Sequence, residues 1–172
     1  MRIAIIGPES TGKTSLAKSL AERYHYTYIP EYARSYVEQL SRPYTEDDVL
    51  AIAQHQIDEL ALTDSDILYD TELIITKVWL EHKYGRCPAW VDEAIARYPM
   101  DLYLLCYPDI EWRADPTREN PHIREALFRR YEQEIQRTRV PYIVVRGRVR
   151  ELLLKEQTES ICDLLNRDNL KG

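Results

Sequence analysis

Eight consecutive residues carry most of the chemistry legible in this chain: Gly7-Pro8-Glu9-Ser10-Thr11-Gly12-Lys13-Thr14, placed after the apolar run 3–6 and before a stretch of helical hydrophobic spacing. Strand, glycine-bounded loop and helix in that order form a phosphate-binding loop. Gly7 and Gly12 let the main chain turn and come close to a polyphosphate. Consecutive N–H groups at the positive end of the helix cradle its oxygens, so Glu9, Ser10, Thr11, Gly12, Lys13, Thr14 and Ser15 are the expected contacts. Lys13 brings a mobile charge to the β- and γ-phosphates. Thr14 offers a hydroxyl to Mg2+, an ion that takes one or two protein oxygens together with phosphates and waters. Only five glycines occur in 172 residues and two stand in register here, which points to a bound nucleotide.

Three further groups surround this loop in the expected fold. Asp70 closes the apolar run 66–70, and at the carboxyl end of a strand it would hold Mg2+ directly or through water. The competing reading is a cap for the following helix, a task Thr71 could also take. Glu31-Tyr32-Ala33-Arg34 stands where a strand passes into a helix. Glu31 and Arg34, three apart, share a helix face; the carboxylate would accept a proton from an attacking hydroxyl and the guanidinium would bind phosphate. An ordinary surface ion pair fits the same spacing. The polar, proline-punctuated stretch 112–121, with Trp112, Arg113, Asp115 and Arg118, reads either as a lid whose arginines close over the nucleotide or as a solvated connection. His55-Gln56 lies inside a helical period, where solvated or packed positions outnumber site positions. Most of the 13 tyrosines are expected in the core or on the surface.

The elements that must position these groups alternate along the chain. Apolar strand-like runs occur at 3–6, 26–29, 66–70, 102–107 and 142–145, with helical periods between them, the pattern of a parallel sheet covered on both faces. Leu16, Ala17, Leu20 and Ala21 form one stripe after the loop. Thr45-Glu46-Asp47-Asp48 resembles a capping box ahead of Val49, Ile52, Ala53, Ile57 and Leu60. Further helices are expected through Ile74, Ile75, Val78 and Trp79, near 91–98, at 123–137 and from about 151 to 165. The expected architecture is one α/β domain, a three-layer sandwich with a five-stranded parallel sheet and a lid.

Composition narrows the function classes. A net charge of −6 supplies no broad basic field, which argues against nucleic acid or an anionic membrane as a main partner. Cys87, Cys106 and Cys162 are odd in number and widely spaced, the usage expected of reduced thiols in the cytoplasm. No apolar run approaches a membrane span.

Taken together, the phosphate-binding loop, Glu31-Tyr32-x-Arg34, Asp70-Thr71, Pro99-x-Asp101 ahead of a strand and Trp112-x-x-Asp115-x-x-Arg118 resemble the kinase domain of the NadR-type nicotinamide riboside kinases. The similarity runs thinly over nearly the whole chain, and the ordered set is more specific than the loop alone. It implies transfer of the ATP γ-phosphate to the 5′-hydroxyl of nicotinamide riboside. Lys13 and Thr14 would then serve ATP and Mg2+, Glu31 and Asp70 would lie near the ribose hydroxyl and the metal, Tyr32, Arg34 and Trp112 would meet substrate, and Arg118 would belong to the lid. Family kinases can carry a tryptophan just before the Glu-Tyr pair, where this chain has Pro30. With the loop starting at residue 7, a stand-alone kinase domain is expected. Two other readings stay open: a kinase for another nucleoside, and an ATP-binding regulatory module without transferase activity. A GTPase is disfavoured, because Asp70-Thr71-Glu72-Leu73 lacks the Asp-x-x-Gly switch.

Overall fold

The computed structural model describes residues 1–61, 66–114, 120–155 and 163. Five parallel strands, β1 (Arg2–Ile6), β2 (Thr27–Ile29), β3 (Ile67–Asp70), β4 (Leu102–Cys106) and β5 (Tyr142–Val145), form one sheet in the order β2-β3-β1-β4-β5. Seven helices complete the described elements: α1 (Lys13–Tyr24), α2 (Tyr32–Glu38), α3 (Glu46–Leu60), α4 (Leu73–Tyr84), α5 (Ala89–Arg97), α6 (Arg124–Thr138) and α7 (Gly147–Lys155). Parallel neighbours cannot be joined by tight turns, so each connection must cross over the sheet, and the helices are those crossovers.

The strands read as near-continuous apolar runs because both faces are covered. Alternate residues of β1 part company: Ala4 and Ile6 join Tyr69, Tyr103 and Leu105 under α3, α4, α5 and α6, whereas Ile3 and Ile5 join Leu68, Leu104 and Cys106 under α1 and α7. Register fixes the site. β1 pairs Ile5 with Asp70 on one side and Ile6 with Leu105 on the other. The chain order reverses about β1, and the crevice beyond the carboxyl ends of strands at such a point is where open α/β sheets receive ligands.

The sequence-based expectations hold closely for the sheet and for most helices. The capping box at α3 is formed, with the Thr45 N–H donating to Asp48 Oδ2 at 2.7 Å. Two expectations change. α7 begins at Gly147, four residues before the expected start, and its continuation to 165 lies outside the described residues. The cap of α4 is neither Asp70 nor Thr71 but Glu72, whose Oε1 accepts from the Ile74 N–H at 3.0 Å. Arg118, Asp115 and Cys162 also lie outside the described residues; Cys87 and Cys106 are free thiols.

Candidate functional site

Gly7 follows β1 with φ +148°, and a Cβ there would come within 2.5 Å of the Cys106 carbonyl oxygen on β4. Only glycine lets the loop leave the sheet at this point. Thr11, buried, donates its hydroxyl to the Pro8 carbonyl at 2.9 Å. Gly12, at φ +77°, is the residue from which α1 starts. The loop therefore turns from β1 into the amino end of α1, where free helix N–H groups suit anions. Lys13 Nζ donates to the Pro8 carbonyl at 2.9 Å.

The loop forms the floor of a cavity of about 290 Å³. Gly7 and Glu9 to Ser15 line it, joined by Glu31 at the start of α2, Arg34 within α2, Thr71 after β3, and Asn120. Glu31 is half-buried there. Desolvation raises its carboxyl above the usual range, opposed by the nearby Lys13 charge and reinforced by Asp70. Arg34 lines the cavity and also pairs with Glu38 Oε1 at 3.0 Å across one helical turn, so the site and the ion-pair readings of this residue coexist.

Asp70 is fully buried just behind the cavity wall and accepts from the Tyr28 phenol through Oδ2 at 3.1 Å. Its Oδ1 and the Thr71 hydroxyl are buried without a hydrogen-bond partner among the described residues. Buried polar atoms are nearly always paired, so these two orphans at a strand end call for a ligand. Hard oxygens of this kind, with the Thr14 hydroxyl that lines the cavity, have the chemistry that Mg2+ takes. Among the described residues no cluster of three or more His, Cys, Asp or Glu side chains is arranged to hold a metal.

Tyr32 and Trp112 do not line this cavity. Tyr32 stacks on His55 of α3, with ring centroids 3.5 Å apart, and Trp112 lies under the Arg124 guanidinium at 5.6 Å. The described ends of 112–121 do press on the loop: the Arg113 N–H donates to Ser10 Oγ at 2.9 Å and the Asn120 N–H to Glu9 Oε2 at 3.0 Å. Arg124 clamps the same corner, donating to the carbonyls of Ser10 and Ile110.

The far wall comes from residues that the motifs do not mark: Val37, Tyr44, Ile75, Trp79, Tyr131 and their neighbours. Trp79 and Ile75 read in sequence as part of a helix's core period. The available signal was that six of the eight residues 73–80 are apolar (Leu73, Ile74, Ile75, Val78, Trp79 and Leu80), more than one buried face requires.

The chain resembles several known proteins. A family model described as an AAA domain matches residues 2–151. The trifunctional NAD biosynthesis/regulator proteins NadR of Salmonella typhimurium and Escherichia coli are each 29% identical over 124 residues, 67% of this chain and 30% of theirs. The chain thus spans less than a third of the length of those relatives. The structure of NadR protein in complex with NR superposes with a TM-score of 0.72 at 22% identity, over 88% of this chain and 49% of that one. Deoxyadenosine kinase from M. mycoides superposes at 0.61 and 15% identity, over 89% and 94% of the two chains. Identities this low carry the fold alone, and the fold they carry is the α/β P-loop kinase fold. The NadR-type resemblance drawn from the motifs is borne out by the sequence matches. With residues 2–151 matched, the chain belongs to the AAA domain family.

Proposed function

We propose that this chain is a Mg-ATP-dependent kinase that phosphorylates the 5′-hydroxyl of nicotinamide riboside. One observation carries the proposal: Glu31 lines the same cavity as the phosphate loop, close enough to Lys13 to feel its charge. A carboxylate in the cavity of a phosphate cradle is what an acceptor hydroxyl needs and what simple nucleotide storage does not. The NadR structure solved in complex with NR supports this choice of acceptor.

In the reaction so proposed, the loop N–H groups and Lys13 hold the β- and γ-phosphates and stabilise the charge that gathers on the transferring group. Glu31 accepts the proton of the 5′-hydroxyl as its oxygen bonds to the γ-phosphorus, while the bond to the β,γ-bridging oxygen breaks and ADP leaves. Its raised pKa moves it toward the range in which a general base works best near neutrality. Thr14 and Asp70 would hold Mg2+, which when bound neutralises phosphate charge. Tyr28 orients Asp70 through the bond to Oδ2. The stretch 112–121, whose described residues Arg113 and Asn120 bond Ser10 and Glu9, would exclude water, with Arg118 the proposed lid arginine and Arg34 proposed on the acceptor side.

The test is ADP release with Mg-ATP and a panel of acceptors: nicotinamide riboside, adenosine, uridine, thymidine and deoxyadenosine. Nicotinamide riboside should give the highest kcat/KM. A far higher value for a deoxynucleoside would hand the site to a different nucleoside kinase. No acceptor-dependent ADP release from folded protein would leave a nucleotide-binding regulatory module.

A further inference from the structure

The end of the cavity away from the phosphate loop has no task in the transfer step. α4 turns one stripe toward it, Ile75, Trp79 and His82 at helical spacing with Thr76 beside them. Ile74 and Val78, flanking that stripe, are fully buried in the core.

Tyr44, from the connection between α2 and α3, holds the indole in place. The two rings meet edge to face with centroids 4.9 Å apart at 72°, and Trp79 Nε1 donates to the Tyr44 hydroxyl at 3.2 Å. Lys83 bonds that same hydroxyl, and its ammonium lies 3.9 Å from the Tyr44 ring centre. The phenol ring is thus already engaged by a cation, which leaves the indole as the aromatic surface on offer to a ligand. A tryptophan serving only as core filler would be buried like Leu80. Trp79 is half-buried, fixed by a satisfied N–H and turned to the cavity.

We infer that the Tyr44–Trp79 pair is the subsite that receives the planar heteroaromatic ring of the acceptor, an inference that rests on the nucleoside kinase reading above. The ribose would then lie between this platform and Glu31. The face of an indole is electron-rich, so it favours a cationic pyridinium over a neutral ring of the same size. Ring discrimination in this chain accordingly belongs to α4 and the α2–α3 connection, not to residue 30.

Steady-state kinetics with the full chain test this. The acceptors are nicotinamide riboside, its neutral dihydro form and the methyl riboside that lacks a ring; the variants are Trp79→Leu and Trp79→Phe. Trp79→Leu should raise KM for nicotinamide riboside about 10-fold or more, the scale of losing one stacked ring, with kcat and the KM for ATP moved far less. Trp79→Phe should recover most of the loss, the methyl riboside should be indifferent to both, and wild type should prefer the oxidised riboside to the dihydro form. Thermal melting and binding of a non-hydrolysable ATP analogue report folding; if Trp79→Leu does not fold, Tyr44→Leu carries the same KM expectation. Unchanged KM in a folded variant overturns the platform while the kinase reading stands. If wild type phosphorylates no riboside, the kinase reading fails separately, and the platform is judged by tryptophan quenching on titration with nicotinamide riboside. Quenching present in wild type and lost in Trp79→Leu supports it, and no quenching in wild type overturns it.

Discussion

The two ends of the cavity are made by different means. The phosphate end is one run of chain shaped by main-chain geometry: Gly7 at φ +148°, Ser10 at +57° and Gly12 at +77° turn the backbone ahead of α1. The acceptor end is a convergence of side chains from α2, the α2–α3 connection, α4 and α6, with Glu31, Val37, Tyr44, Trp79 and Tyr131 distant in sequence and adjacent in the fold. Recognition of a polyphosphate needs only a local backbone shape and a helix end. Recognition of a particular acceptor needs a volume with walls, and walls come from separate elements held by the core.

Breaking the phosphate end should cost most. Lys13→Ala is expected to lower kcat about 1,000-fold, the upper range for one preorganised electrostatic group, with ATP analogue binding weakened much less because the N–H cradle remains. Single-turnover phosphotransfer by the folded variant measures this, and near-wild-type transfer would remove Lys13 from the reaction.

Glu31 joins the two ends, and its replacement sharpens the contrast. Glu31→Gln should lower kcat about 100-fold, the lower range for a general base, while leaving nucleotide affinity in place. The raised carboxyl pKa gives the sign of the pH profile. The base is inactive when protonated, so wild-type kcat should climb as pH rises through that pKa, and the Gln variant should lose the limb. A retained limb in the variant would assign the titration to another group.

The last effect is on stability rather than on turnover, and it concerns the root of the acceptor wall. Glu72 caps α4 from a fully buried position, where desolvation outweighs its bonds to the helix N–H groups and pushes the carboxyl from 4.5 up to about 8. The folded state thus keeps the proton that the unfolded state releases. Stability should be full below about pH 4.5, fall as pH rises toward 8 by at most about 1.4 kcal/mol per unit, and level off above. Denaturant melts at pH 5 and pH 8 check this: Glu72→Gln should flatten the slope, and an unchanged slope in the variant would clear Glu72 of it.

The sequence by itself determined the parts whose physics is local. The phosphate loop follows from glycine spacing, the five strands from apolar runs, and the α3 start from Thr45 and Asp48, because each depends on neighbours a few residues away. It also placed Glu31 and Asp70 at strand ends, since a parallel sheet puts those ends at one edge. The tertiary structure decided the rest. That Glu72 rather than Asp70 caps α4 depends on Thr71 turning to φ +75° after its N–H bonds Ile5 across the sheet, a contact no local pattern encodes. That Trp79 lines a cavity while Val78 and Leu80 fill the core was equally hidden: an apolar helix period does not say which apolar side chain meets solvent. Only packing α4 against the sheet, with Tyr44 brought beside it from 35 residues away, fixes that choice.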